Sequence, residues 1–206
     1  MDYLGIIILF IILSLCYVIA RSIAFTTRNI EKSKNSFIAR EAKANSTRRQ
    51  DISQLKYIEI DMGKIPVDTA KAVGCTKIIE ELEALCHKKI LNLSMYSNTD
   101  LKLMYGPANL EELSICDNNF TELIRLLNTL AKELINEPNN AEATITLLEY
   151  AVEIGSDITA TYVMLGQLYR DKGDSEKLNR LIKNARKITS LSGKTIVSRL
   201  TQIKQN

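Results

Sequence analysis

Cys86-His87 is the one place in the chain where a thiol adjoins an imidazole, and His87 is the sole histidine. Neighbours on a helix point about 100° apart, so the two cannot act on one another as nucleophile and base. A zinc ion would need two further ligands, and Cys75 and Cys116 stand at no ligand-like spacing. Ser192-Gly193-Lys194-Thr195 looks like the end of a phosphate-binding loop. That loop requires a glycine five residues before its Gly-Lys, where this chain has Ile188. Glu80, Glu81 and Glu83 fall on the exposed side of a helical pattern, where solvation accounts for them and nothing marks a general acid or base. The sequence therefore predicts no catalytic residue, no metal and no cofactor.

The elements around these residues begin with an apolar run. From Leu4 to Ala20 there is no charged residue, and Ile, Leu, Phe and Val dominate. As a helix this run is about 25 Å long, slightly short of a bilayer core. Arg21 can snorkel at one interface and Tyr3 can sit at the other, which covers the mismatch. A cleavable secretory signal competes with this reading, and Ser22-Ile23-Ala24 faintly suggests a cleavage site. The positive segment such a signal needs is missing, since Asp2 is the only charge before the run. A transmembrane helix over 1–20 is the expectation.

Behind it, Arg21, Arg28, Lys32, Lys34, Arg40, Lys43, Arg48 and Arg49 face only Glu31 and Glu41. The positive-inside rule then places the rest of the chain in the cytosol of a plasma membrane protein with a very short outer N-terminus. Arg21, Arg28, Lys32 and Lys34 are the expected contacts with the membrane surface, anionic lipid included. Residues 51–206 hold 19 basic and 21 acidic side chains, a balance of −2 that gives no footprint for nucleic acid. Cys16 lies inside the apolar run, and Cys75, Cys86 and Cys116 are scattered, as expected in a reducing compartment. Asn-x-Ser/Thr triplets begin at Asn45, Asn92 and Asn119, but a cytosolic domain would not be glycosylated. The abundance of Ile, Lys and Asn suggests a bacterial source.

Four segments follow from the patterning: a transmembrane anchor at 1–20, a basic juxtamembrane tether at 21–54, a helical part at 55–119, and repeats with a capping helix at 120–206. The tether is read either as a continuation of the helix or as loose chain. Alternation of Tyr57, Glu59 and Asp61 with Ile58, Ile60 and Met62 predicts a short extended segment ending at Pro66. A helix from Val67 to Leu91 is expected on the stripe Ile78, Leu82, Leu85 and Ile90, with a weak point at Gly74. Gly106-Pro107 should stop a short helix that begins near Thr99. Asp117-Asn118-Asn119 then offers caps for a long helix whose face is Leu123, Leu127, Leu130 and Leu134, ended by Pro138-Asn139-Asn140.

In the last third, Tyr162, Leu165, Gly166 and Tyr169 recur at helical spacing, Gly173 breaks the helix, and Leu178, Ile182 and Ala185 line a second one. Thr144, Leu148 and Ala151 stand 34 residues before that last trio. This pattern resembles the tetratricopeptide repeat, with one hairpin from Ala160 to Ile188 and a weaker one from Phe120 to Ile154, where Lys132 takes the place of Gly166. The resemblance implies an all-α fold of stacked helical hairpins of the α-solenoid type, closed by an amphipathic cap near Lys194–Lys204. It also implies that Ala160, Val163, Gln167, Arg170 and Asp171 face a hollow and contact a protein or peptide. Where some members of that family hold Lys and Asn to clamp a terminal carboxylate, this chain has Val163 and Gln167, so a chaperone-tail ligand is not expected.

The function these readings imply is that of a membrane-tethered, non-catalytic adaptor, with no small-molecule substrate. An enzyme or enzyme subunit with a pocket built from 55–116 is the alternative, as is an envelope-facing assembly factor if the topology is reversed. Asn98 to Gly106 holds polar and aromatic residues with no part in a repeat, and a pocket with converging titratable groups near Asp100 or His87 would favour the enzyme.

Overall fold

The computed structural model describes residues 3–205, and among them every regular element is a helix. The chain divides into two compact units, one of residues 1–50 and 98–108, the other of 51–97 and 109–206.

In the first unit, α1 (Tyr3–Asn45) is one uninterrupted helix. It holds no proline and only Gly5, so nothing in the sequence breaks its hydrogen-bond ladder. It is long and apolar enough to cross a membrane, and its apolar window is entirely unburied. The tether is thus helical as far as Asn45. α4 (Asn98–Tyr105) packs on its far end, where Ala44 is fully buried and Leu101 nearly so. Glu41 accepts from Thr99 Oγ1 at 2.7 Å and pairs with Lys102, while Arg40 meets Asp100 at 2.5 Å. Gly106 stops α4 at φ +85°, a conformation that side chains resist, and a Cβ there would lie 2.8 Å from the Arg48 carbonyl oxygen. The predicted stop at Gly106-Pro107 is therefore where the helix ends.

The second unit is built on α5 (Leu110–Ile135), whose Leu123, Leu127, Leu130 and Leu134 are fully buried. Against it pack α3 (Thr76–Leu85) and α6 (Ala141–Glu153), and α7 (Thr159–Asp171) lies on α6. α8 (Ser175–Ala185) and α9 (Ser192–Gln205) close the sequence of packed helices on α7. Leu148, Leu165, Ile196 and Leu200 share one core. The positions 34 residues apart are buried in both halves: Thr144, Leu148 and Ala151 in α6, Leu178, Ile182 and Ala185 in α8. At Gly166 an added Cβ would meet Leu200 Cδ2 at 2.6 Å, so the small residue is what brings α7 and α9 together.

Three expectations need correction. The helix predicted over Val67–Leu91 is two helices, α2 (Val67–Ala72) and α3, separated by Gly74 at φ +83°. It ends at Leu85 because the following backbone bonds elsewhere: Ile90 accepts from Ile58 N–H at 2.9 Å, and Leu91 N–H donates to Cys116 at 3.2 Å. The second correction concerns Asp117-Asn118-Asn119, which starts no helix but lies inside α5. Asp117 accepts from Leu93 N–H and Asn119 donates to the Lys89 carbonyl, both at 2.9 Å, so these side chains tie down the 89–93 segment. The third concerns Leu55–Pro66. It forms no strand among the described residues, though Ile58, Ile60 and Met62 do pack on the core while Glu59 and Asp61 face solvent.

Candidate functional site

The end of α5, the start of α6 and the end of α7 enclose a groove of about 360 Å³. Gln167, Arg170 and Asp171 line it together with Ile135, Glu137 and Lys172. Its floor exists because Leu168 and Ile135 turn partly toward the core, leaving the polar tips of α7 at the rim. Arg170 donates from Nε and Nη2 to Asp171 Oδ1, at 3.1 and 2.9 Å, and Lys172 pairs with Glu142. The groove thus presents both signs of charge, with Glu137 and Asp171 beside Arg170 and Lys172. Hydrogen-bonding side chains around an apolar floor suit an extended or helical segment better than reaction chemistry.

The five residues expected to face a hollow are divided by the structure. Gln167, Arg170 and Asp171 are exposed and come together in the groove, whereas Ala160 and Val163 are half-buried and Val163 packs on the core. On α1, Arg21, Arg28, Lys32 and Lys34 are all exposed. At about 100° per residue the first three share one side of the helix, and Lys34 lies off it.

A second, larger cavity, about 570 Å³, opens between the 92–96 segment, the α6–α7 connection and the residues after α8. Met95, Tyr96, Asp157, Tyr162, Lys187 and Ser190 are among its walls. Tyr162 donates to the Ser156 carbonyl at 3.0 Å, and burial pushes its hydroxyl up to about 12. The Ser190 Oγ is buried with no hydrogen-bond partner. The pocket expected within 55–116 was tied to Asn98–Gly106, Asp100 and His87, whereas this cavity takes only 92–96 from that region and the rest of its walls from 152–190. The available signal was Asn92-Leu93-Ser94, a turn-forming stretch next to two exposed large apolar residues, Met95 and Tyr96.

No family model, curated protein or solved structure matches this chain. The chemistry must be read from the residues alone.

Among the described residues no group of three or more His, Cys, Asp or Glu side chains could hold a metal ion. Cys86 and His87 are both exposed just past α3, and the Cys86 thiol donates to the Leu82 carbonyl at 3.4 Å. Burial raises the Cys75 and Cys116 thiols above their ordinary value, which leaves them protonated and poorly nucleophilic near neutral pH. Asp100 is engaged by Arg40. The strongest polar cluster in the second unit is Glu149, which accepts from the Tyr169 hydroxyl at 2.6 Å and from Lys177 at 3.0 Å. Lys177 also stands 5.6 Å over the Tyr169 ring. Burial first, and the Glu149 carboxylate second, push the Tyr169 hydroxyl far above its ordinary value, so it serves as a donor and not as a base.

Proposed function

We propose that this chain is a membrane-anchored adaptor whose tetratricopeptide-like stack of helical hairpins binds a protein or peptide partner without catalysing a reaction. The observation that supports this most is the groove at the ends of α5 and α7, where three residues picked from the repeat spacing, Gln167, Arg170 and Asp171, come together. The 34-residue recurrence of buried positions in α6 and α8 supports the repeat reading. The apolar α1 supports the anchor, and its basic flank supports a cytosolic domain. Holding a partner at a bilayer raises its effective concentration toward other membrane components, and this needs no chemistry.

Crosslinking in membranes followed by purification tests the proposal. The variant Arg170→Glu with Gln167→Ala should lose adducts that the unaltered protein forms, while keeping its helical content. An unchanged set of adducts removes the groove as a binding surface.

A second reading, an enzyme or enzyme subunit holding a small ligand, rests on the 570 Å³ cavity and the unsatisfied Ser190 hydroxyl. A compound that raises the Tm of the unaltered protein but not of Ser190→Val would favour it. The absence of such a compound from a broad screen would count against it.

A further inference from the structure

Beyond its apolar run, α1 displays Ile23, Ile30 and Phe37, spaced by seven and exposed at 61, 63 and 60% of their surface. A straight helix drifts by about 20° in seven residues, so a strict seven-residue stripe stays in register only with a helix that coils left-handedly around it. Charge is arranged around the same stripe. Arg21, Arg28 and Lys32 lie about half a turn away at ~100° per residue, and between Ala20 and Phe37 only Lys34 flanks the apolar line. The residues filling the gaps are mostly small, among them Thr26, Thr27 and Ser33. Thr26, beside the line, donates to the Ser22 carbonyl at 2.9 Å, so covering it strands no hydroxyl donor there.

Lipid cannot cover the part of this stripe from Ile30 to Phe37. At about 1.5 Å per residue, Ile30 lies roughly 15 Å and Phe37 roughly 25 Å beyond Ala20, whereas a headgroup layer is about 5–8 Å deep. A helix that runs unbroken out of the bilayer does not also lie flat on it. Farther along, Glu41 and Ala44 continue the same side of the helix, and there α4 covers them. The stripe is thus covered at one end by the chain itself and open below.

We propose that the open stripe from Ile23 to Phe37 is a self-association seam, occupied by the same stripe of a second copy of this chain in a parallel, left-handed pair. Two copies inserted with one topology can pair only in parallel, which sets each of the three large residues against its own counterpart. In that register Lys34 of either copy stands beside the neutral Asn29 of the other, so no like charges meet across the seam. Confinement to one membrane supplies the concentration that so short a seam requires.

Disulfide trapping in membranes that contain the full chain tests this. Its native cysteines are replaced by serine, and single cysteines are placed at Ile23→Cys, Ile30→Cys, Arg28→Cys or Lys32→Cys. Oxidation should give covalent dimers from the first two several-fold faster than from the last two, and Phe37→Glu in the Ile30→Cys background should abolish the difference. Equal trapping at all four positions, no trapping at Ile23 or Ile30, or adducts of a mass other than twice the chain would overturn the proposal. The groove at α7 has no part in this readout, so failure here leaves the adaptor reading standing.

Discussion

Glu41 is where the first unit is most sensitive to solution conditions. The hydrogen bond from Lys102, then that from Thr99, holds its carboxyl below the ordinary value of 4.5. A carboxylate whose pKa is lowered on folding stabilises the fold above its unfolded value, and that contribution disappears as pH falls through the folded one. The α1–α4 contact should therefore be unaffected from neutral pH down to about 4.5 and loosen only below it. Faster amide exchange in α4 below that point, absent in Glu41→Gln where it is already fast at neutral pH, is the expected result. An α4 whose protection ignores both acid and the substitution would show that Glu41 has no such role. Tyr169, which donates to Glu149, works differently: burial first and the Glu149 carboxylate second hold its hydroxyl far above its ordinary value, so it stays protonated across the physiological range.

Among the elements, α4 depends on the turn that ends it. Gly106 combines a positive φ with a Cβ position that backbone atoms of Arg48 and Arg49 already crowd, at 2.8 to 2.9 Å. Gly106→Ala is expected to cost about 2 kcal/mol or more, since strain and overlap act together and backbone cannot retreat as a side-chain tip can. Limited proteolysis should then cut near residues 48–50 or 106 in the variant, whereas an unchanged digestion pattern would show that the turn adapts. Helix content and the stops at Gly106 and Gly173 were legible in the sequence because local chemistry decides them. Gly173, for instance, takes φ +72° between α7 and α8. What was hidden depended on distant partners. Asp117 and Asn119 read as helix caps, yet they bond to Leu93 and Lys89, more than twenty positions away. The break after Leu85 was invisible for the same reason, because Ile58 and Cys116 supply the hydrogen bonds that hold the chain extended there. Gln167, Arg170 and Asp171, singled out by the repeat resemblance, line one groove, but spacing could not foresee the bonding of Arg170 to its own neighbour.

For the whole molecule, the side of the membrane decides which partners are possible. By the positive-inside rule, the basic flank of α1 supports the proposal that the bulk of the chain lies in the cytosol. Cys86 is exposed on the second unit while Cys75 and Cys116 are buried, so it can report sidedness without unfolding. With Cys16, Cys75 and Cys116 replaced by serine, an impermeant thiol reagent should leave Cys86 unlabelled in intact cells and label it once they are opened. Labelling of intact cells would reverse the orientation and favour an envelope-facing role.

The unbroken course of α1 also makes it a geometric clock. With no hinge between its apolar part and the Glu41 that holds α4, each residue added to or removed from the helix swings α4 by about 100° around the axis and shifts it by about 1.5 Å. Length and heading are therefore a single variable in this chain. Natural variants are free to change it only by steps close to whole turns, about seven residues at a time, if α4 is to keep its bearing.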